Sequence, residues 1–399
     1  MATQEIPAPA ATTPRALDFD APNRVRETLV RLGRTEDVRF SPSGRRLAFA
    51  SYDRAQIAVA DVRIASSATG PDIAVTRIDL LSGKGLREPH GVDFADEDTL
   101  VVGNRSGGIG VFRLEGASAE PTLVRLPGGG KSPLLESPGS VAVRPLDGGR
   151  CEVLACNNWT GTIARHTLDP SGAVTGGEVL AANWLDLPDG LALSGDGRWL
   201  AVSNHDGHNV FVYAYPTLDE RSEPVAVLRG ARYPHGLRFD AGADRLLVAD
   251  AGSPFVHVFV PSEDGWSGAS YPSATIAVVD EHAFARGNRN PREGGPKGID
   301  VHRDTNVVAV TCEQQPLAFF DAGAATGERN GNADRGALLG YELLVLGDVA
   351  HLREDAAEAR ARLAELFETK AWRLTAPARR LYGAALRLRA RRSGWRPRR

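Results

Sequence analysis

The sequence predicts an all-β fold, a six-bladed β-propeller, followed by a C-terminal α-helical extension. A Pro-X-Gly tripeptide or a variant of it leads into a short apolar strand, a turn and a second apolar strand. This pattern occurs six times, at the equivalent positions Asp37, Gly91, Ser140, Gly190, Gly236 and Gly298. The steps between these positions lie in or just above the range typical of propeller blades. Helical repeats are excluded because the units are short β-rich runs broken by Gly, Asp and Pro.

The individual elements agree with this fold. The clearest repeat is the hairpin 187–204, whose two apolar strands are joined at Asp196-Gly197. Runs such as 246–249 and 307–310 are apolar on both sides, as a blade packed between two others requires. The predicted organisation is a flexible leader over 1–22, the propeller over 23–321, a linker with room for an extra strand over 322–350, and a basic amphipathic helical tail over 351–399.

Closure of the ring needs a strand from the N-terminal part of the chain. Residues 28–32 resemble 121–126 and 223–228, each of which precedes a Pro-X-Gly tripeptide as the outermost strand of a blade. We therefore predict that 28–32 completes the sixth blade, with 339–346 as a competing candidate. The polar connection 280–294 is either a plain insertion or a lid over the axial face.

Charge divides the chain into an acidic body and a basic tail. The net charge is −3, but 370–399 holds 11 basic and no acidic residues, which leaves −14 for 1–369. The acidic body and the lack of a recognition motif exclude nucleic acid as a partner. With neither a signal peptide nor a membrane span, we expect the chain in the cytoplasm, and at the inner membrane face if the tail binds there. Residues 370–399 are expected to bind an anionic membrane surface or a partner protein.

Residues that could carry chemistry fall at the axis. In a propeller the innermost strands begin at one face, so the residues just before the six equivalent positions should surround a common mouth. They are Glu36, His90, Gly139, Asp189, His235 and Lys297. Two carboxylates and two imidazoles among them, Glu36, Asp189, His90 and His235, suit a divalent cation. The predicted cofactor is accordingly a divalent ion, calcium or zinc: mixed His and carboxylate ligands favour zinc, manganese or iron, and neighbouring Asn side chains would extend a calcium shell.

The remaining candidates complete this interpretation. Lys297 could bind an anionic substrate or neutralise an oxyanion, and His205 could shuttle a proton. Substrate-binding groups are expected where the second strands end: Asn104, Asn158, Asn204, Asp250 and Glu313. The alternative is architectural, because crowded loops need Asp, Asn and His to satisfy their own backbone groups.

The tripeptides carry a family resemblance. Pro188-Asp189-Gly190-Leu191 and Pro234-His235-Gly236-Leu237 resemble the six-bladed superfamily of NHL-repeat proteins, senescence-marker/gluconolactonase lactonases, strictosidine synthase and peptidyl-hydroxyglycine lyase, over about 28–321. In gluconolactonase-like members carboxylates hold the metal, a role that Glu36 and Asp189 match. In the lyases His residues at these positions carry the site, which His90 and His235 match.

The tail has a resemblance of its own. Trp372-Arg373-Leu374-Thr375-Ala376-Pro377 with Arg379-Arg380-Leu381 is similar to the C-terminal extension of bacterial enzymes of polysaccharide assembly. The function expected first is a metal-assisted hydrolase or lyase, lactonase-like, acting on a small polar or carbohydrate-derived substrate at the axial mouth. The alternative is a non-catalytic binding or scaffold propeller tethered to a membrane-associated glycan-assembly complex. Whether the chain is an enzyme stays open at this point.

Overall fold

The computed structural model describes residues 16–323, apart from 69, 117–120, 127–131, 183, 243, 264 and 288–292. The candidate strand 339–346, the linker beyond residue 323 and the basic tail lie outside the described residues. No helix in the described part of the chain is both long and apolar enough to cross a membrane.

Three sheets of four antiparallel strands form the first half of the fold. The first sheet contains β1 (Thr35–Phe40), β2 (Arg46–Ser51), β3 (Gln56–Ser67) and β4 (Gly70–Ser82). The second contains β5 (Pro89–Phe94), β6 (Thr99–Asn104), β7 (Gly108–Glu115) and β8 (Thr122–Arg125). The third contains β9 (Pro138–Pro145), β10 (Cys151–Asn157), β11 (Thr162–Leu168) and β12 (Val174–Ala181).

The second half repeats the arrangement with variations. The fourth sheet contains β13 (Pro188–Leu193), β14 (Trp199–Asn204), β15 (Asn209–Ala214) and β16 (Ala226–Arg229), extended by β20 (Gly268–Ser270), which pairs parallel to β16. The fifth contains β17 (Pro234–Phe239), β18 (Leu246–Asp250), β19 (Phe255–Phe259) and β21 (Ala274–Ala277). The sixth contains β22 (Gly298–Val301), β23 (Val307–Thr311) and β24 (Ala318–Asp321).

The sheets form a closed ring, which confirms the predicted six-bladed propeller. The innermost strands contact one another in the cyclic order β1, β5, β9, β13, β17 and β22, and β22 contacts β1 again. Apolar side chains fill the space between neighbouring blades, as with Phe49 and Phe319 between the first and sixth blades, and Leu191 and Tyr213 beside the third. Because this packing surrounds the axis, the axis itself is left to the loops and the polar side chains of the inner strands.

The predicted closing strand at 28–32 is wrong. Asn23–Val30 forms a helix, α1, which follows Pro22 and buries Val25, Thr28 and Leu29 on one side. These three residues have the i, i+3, i+4 spacing of a helix, so the resemblance to outer strands was misleading. Leu17 instead pairs with Phe319 of β24, with its N–H 2.7 Å from the Phe319 carbonyl oxygen. Leu17 and Phe19 also pack on the core. The last residues of the predicted leader 1–22 therefore belong to the propeller.

Glycines of the recurring motif let the inner strands approach one another closely. A Cβ built on Gly190 would lie 1.9 Å from the carbonyl oxygen of His235 in the next blade. A Cβ on Gly236 would lie 2.4 Å from the carbonyl oxygen of Lys297, and one on Gly298 would lie 2.8 Å from the Val38 nitrogen, across the closing interface. Only glycine allows neighbouring inner strands to approach this closely at these three positions. The residue before each of these glycines consequently lies at the axis.

Candidate metal and acid-base site at the propeller axis

The structure brings five of the six predicted axial side chains together. Glu36, His90, Asp189, His235 and Lys297 are buried, none more than 6% exposed, and they come from five different blades. At the sixth position, Gly139, a Cβ would lie 2.6 Å from Asn158 Oδ1 and 2.8 Å from Asp189 Oδ1. The absence of a side chain there leaves space for those two groups.

Two imidazoles face two carboxylates at the centre of this cluster. The Nε2 atom of His235 lies 3.1 Å from both Glu36 Oε2 and Asp189 Oδ2. The Nε2 atom of His90 lies 3.5 Å from Glu36 Oε2 and 3.8 Å from Asp189 Oδ1. The two rings stack with their centroids 5.3 Å apart. Both histidines therefore direct Nε2, a common metal ligand, at the carboxylates.

Cations surround the carboxylates. Arg34 pairs with Glu36 Oε1, and Lys297 Nζ lies 3.3 Å from Glu36 Oε2. Arg105 Nη2 lies 2.9 Å from Asp189 Oδ1. Burial alone would raise the pKa of Glu36, but Lys297 and the other cations outweigh it and hold that pKa well below its usual range. Asp189 is likewise held well below the usual carboxyl pKa, by Arg105 and His235 against its burial. Both carboxylates are ionised.

The two central histidines carry different charges. Burial and the neighbouring Arg105 lower the pKa of His90 to about 3, so this ring is neutral. Its Nδ1 lies 2.5 Å from the Gly139 carbonyl oxygen and donates to it, which leaves the lone pair on Nε2. Burial would lower the pKa of His235 as well, but Asp189 and Glu36 raise it to about 9, so that ring is protonated.

The donor set fits a divalent cation. Glu36, His90 and His235 present ligand atoms that all lie within 4.8 Å of one another. Glu36 Oε2 is buried and accepts no well-aligned hydrogen bond, although three nitrogens lie within 3.5 Å of it: His235 Nε2, Lys297 Nζ and His90 Nε2. A buried carboxylate oxygen in this state suits a metal ion, because an ion would supply the directed partner that these nitrogens do not.

Arg105 holds the position that a cation would need. Its Nη2 lies 2.8 Å from His90 Nε2 while it also binds Asp189. A divalent ion bound here would displace the Arg105 guanidinium and the proton of His235. The two positive charges lost would equal the two positive charges that the ion brings. The net charge of the cluster would not change, so the fit holds electrostatically as well as chemically.

A second ionic cluster closes the axis beneath the site. Arg39 Nε lies 3.1 Å from Asp93 Oδ1, Arg238 Nη2 lies 3.2 Å from Asp37 Oδ1, and Arg238 Nε lies 3.2 Å from Asp300 Oδ1. Arg39, Arg238, Asp37 and Asp300 are buried, and Asp93 is partly buried. A ligand must therefore approach the central histidines from the mouth.

The residues that end the second strands hold loops in place. Asn104 Oδ1 accepts from the Arg87 N–H at 2.8 Å, and Asn204 Oδ1 accepts from the Asp186 N–H. Asp250 accepts from the N–H groups of Arg232 at 3.0 Å and Tyr233 at 2.8 Å. Each of these bonds anchors the loop that leads into the first strand of the same blade. A role of Asn104, Asn204 and Asp250 in substrate binding stays a prediction.

In three blades the residue that directly follows the second strand reaches the axis. Arg105 binds His90 and Asp189, and Asn158 Nδ2 donates to Asp189 Oδ1 at 2.8 Å. His205 places Nδ1 3.9 Å from Asp189 Oδ2. Asn158 and His205 were predicted from sequence as site residues, whereas Arg105 was assigned no role. Its position directly after Asn104, equivalent to that of His205 after Asn204, is the signal that could have identified it.

The mouth itself is narrow. A cavity lined by Arg34, Glu293, Lys297 and Glu313 has a free volume of about 10 Å³, enough for about one water molecule. Glu313, predicted to bind substrate, thus lies at the mouth. Glu293, at the end of the 280–294 connection, was not predicted, because an irregular connection gives no spacing from which its position can be inferred.

Asp250 gives a stability prediction. The pKa of this buried carboxyl would be raised by burial, but His257 and two backbone N–H groups lower it. Asp250→Asn turns one acceptor into a donor that faces other donors, so we expect a loss of about 2–4 kcal/mol in unfolding free energy by denaturant titration. Because the folded pKa is depressed, the carboxylate's contribution should be present above the ordinary aspartate pKa and be lost as pH falls below it.

The matched control is Asp244→Asn, an exposed aspartate in the turn between the first two strands of the same blade. Its stability should equal that of the wild type. Equal stability of Asp250→Asn and Asp244→Asn would show that Asp250 does not anchor its loop.

Fold and site together define a six-bladed propeller with a buried, charged axial cluster. No protein-family model and no curated protein matches the chain. Among solved structures it is similar to a luciferin-regenerating enzyme, with 13% identity and a TM-score of 0.48 over 72% of this chain and 91% of that one. A proposed 6-phosphogluconolactonase from Bacteroides fragilis matches with 16% identity and a TM-score of 0.45 over 73% and 81%. A chain of a nidogen/laminin complex matches with 16% identity and a TM-score of 0.41 over 57% and 75%. At these identities the similarity concerns the fold alone.

Proposed function

We propose that this chain is a metal-assisted hydrolase or lyase, lactonase-like, that acts on a small polar or carbohydrate-derived substrate at the axial mouth. The observation that supports it is the convergence of Glu36, His90 and His235, from three blades, with ligand atoms within 4.8 Å of one another. A propeller needs no such set of titratable groups to close, and a perturbed cluster in a recess is a candidate catalytic site.

Four residues would hold the ion: Glu36, His90, Asp189 and His235. A bound divalent ion polarises a carbonyl group or lowers the pKa of a water molecule. The protein's part is to fix these donors: Asn158 orients Asp189, the Gly139 carbonyl oxygen orients His90, and Arg34 orients Glu36. Rigid support of this kind keeps the donors in place as charge changes at the site.

Two further residues would act on the substrate. Lys297 would stabilise negative charge on a substrate oxygen next to the donor set, and the 3.3 Å between its Nζ and Glu36 Oε2 supports this role. His205 has an acceptor facing each ring nitrogen, the Pro234 carbonyl oxygen at 3.2 Å and Glu293 Oε1 at 3.3 Å. In the proposed reaction His205 would carry a proton between the substrate and the mouth.

A lactone-hydrolysis assay tests this proposal. We expect the protein to hydrolyse at least one member of a panel of small sugar lactones, and chelator to abolish the activity. Asp189→Asn should lower kcat/KM at least about 100-fold, because it removes a ligand charge from the centre. Asp186→Asn, an exposed aspartate on the same loop, should leave the rate unchanged. Activity that survives both chelator and Asp189→Asn would refute the metal-assisted mechanism.

A scaffold role is the second candidate, and the pairing of the charged groups in the mouth with one another favours it. Arg105, Lys297 and Glu293 each bind a partner within the cluster, and the cavity holds about one water molecule. In this alternative the propeller binds a partner and 370–399 tethers it to a membrane-associated glycan-assembly complex. A metal-free protein with no hydrolysis and a melting temperature unchanged by chelator would support it.

A further inference from the structure

The side chain of Glu293 occupies the axial mouth in the way that a bound carboxylate ligand would. It comes from the connection after helix α2 (Glu281–Arg286), not from a blade strand. Its carboxylate bridges two blades, with Oε1 3.3 Å from His205 Nε2 and Oε2 3.1 Å from Lys297 Nζ. The side chain is 15% exposed, so the charge is largely removed from water. A two-pronged contact from separate blades is how a site would hold a carboxylate or phosphate.

The surroundings of Glu293 favour a negative charge independently of this residue. Lys297 belongs to the loop before β22, His205 follows β14, and Arg34 precedes β1 and lines the same cavity. Three basic side chains from three blades thus converge on one position. Each of the three has a contact other than Glu293: Lys297 Nζ lies 3.3 Å from Glu36 Oε2, His205 Nδ1 lies 3.2 Å from the Pro234 carbonyl oxygen, and Arg34 pairs with Glu36. We therefore expect them to stay in place when the Glu293 carboxylate is removed.

Glu293 occupies the positions that a ligand anion would need. Its Oε1 faces His205 Nε2 and its Oε2 faces Lys297 Nζ, and the cavity beside Lys297 has a free volume of only about 10 Å³. An anionic group that binds both nitrogens must therefore replace Glu293. The affinity for such a group is reduced by whatever free energy the Glu293 contacts contribute.

We propose that Lys297, His205 and Arg34 form an oxyanion subsite, and that Glu293 fills it until a ligand carboxylate or phosphate takes its place. This inference rests on the proposed function for its meaning, since it assigns the substrate a negatively charged group. The substrate class is then an anionic lactone or ester, such as a sugar acid or a sugar phosphate derivative. Glu293 selects against neutral analogues, which cannot replace its ion pairs.

Calorimetric titration of the full chain with inorganic phosphate and, separately, with acetate tests the subsite. Glu293→Gln keeps the shape and removes the charge, so we expect it to bind at least one of the two anions at least tenfold more tightly than the wild type. Adding Lys297→Met should abolish that gain. Glu281→Gln changes the net charge equally on the exposed start of α2 and should bind as the wild type does.

Three results would overturn the subsite: equal affinity in the wild type and Glu293→Gln, an equal gain in Glu281→Gln, or a gain that persists without Lys297. If Lys297→Met does not fold, His205→Gln removes the other donor and serves for the same comparison. The readout is binding, so it is separate from the lactone assay. Failure here with chelator-sensitive hydrolysis intact would leave the proposed function standing, and the reverse pattern would leave the subsite standing.

Discussion

Replacing Gly190 by alanine is expected to destabilise the propeller by more than about 3 kcal/mol, and to prevent folding if the total stability is modest. A Cβ at this position would lie 1.9 Å from the His235 carbonyl oxygen and 2.8 Å from Ser203 Oγ. The first of these contacts is to the backbone of the next inner strand, so it cannot be relieved by a rotamer change. The blades would have to separate at the axis.

The control for this substitution lies a few residues further along the chain. Gly195 is exposed, and the atom nearest to a Cβ built on it is the Ala241 carbonyl oxygen, at 3.9 Å. Gly195→Ala should therefore melt at about the wild-type temperature. Calorimetry would measure the melting temperatures of both variants for comparison with the wild type. A Gly190→Ala protein as stable as Gly195→Ala would mean that the inner strands do not meet as described.

Removing the Arg105 charge is expected to strengthen divalent ion binding at least tenfold. Its guanidinium donates to the His90 lone pair and holds Asp189, and both are proposed ligands. Two unit charges 4 Å apart repel by about 4 kcal/mol at an effective dielectric constant of 20. A tenfold gain in affinity corresponds to only about 1.4 kcal/mol. We expect this smaller gain because the Arg105 side chain can move outward in the wild type and so avoid part of the repulsion.

Competition titrations with a zinc chromophore would measure the effect. Arg105→Met should bind zinc more tightly than the wild type, whereas Arg54→Met should not. Arg54 is an exposed arginine in the corresponding loop of the first blade, so it controls for the change in net charge. If Arg105→Met bound zinc no better than Arg54→Met, the guanidinium would not compete with the ion, and the donor set proposed for the metal would be wrong.

The sequence was informative where a residue type was imposed by geometry. Close approach of inner strands requires glycine, so Gly190, Gly236 and Gly298 marked the repeat and with it the fold. The residue before each of the six equivalent positions is fixed relative to the axis. Glu36, before Asp37, and His235, before Gly236, could therefore be placed together although some 200 residues separate them.

Elsewhere the pattern was ambiguous or absent. Residues 28–32 are as apolar as an outer strand, and only the spacing of Val25, Thr28 and Leu29 distinguishes the helix that forms. Arg105 follows Asn104 as His205 follows Asn204, but its position alone does not predict that it contacts both His90 and Asp189. The contacts of Glu293 depend on the path of an irregular connection, which no periodicity describes.

The charge of the site was the least predictable feature. His90 and His235 occupy equivalent positions and look alike in sequence, yet one is neutral and the other protonated. The difference arises because Arg105 lies against His90, whereas His235 lies between two carboxylates. Protonation is a property of the assembled ring of loops and could not be inferred from any single repeat.

Binding of a divalent ion at the axial cluster is tested most directly by an anomalous difference map from crystals of the full chain grown with zinc. We expect one strong peak in contact with Glu36 Oε2, His90 Nε2 and His235 Nε2, with the Arg105 guanidinium moved away. A map without a peak at this position, with Arg105 still bound to His90 and Asp189, would contradict this expectation.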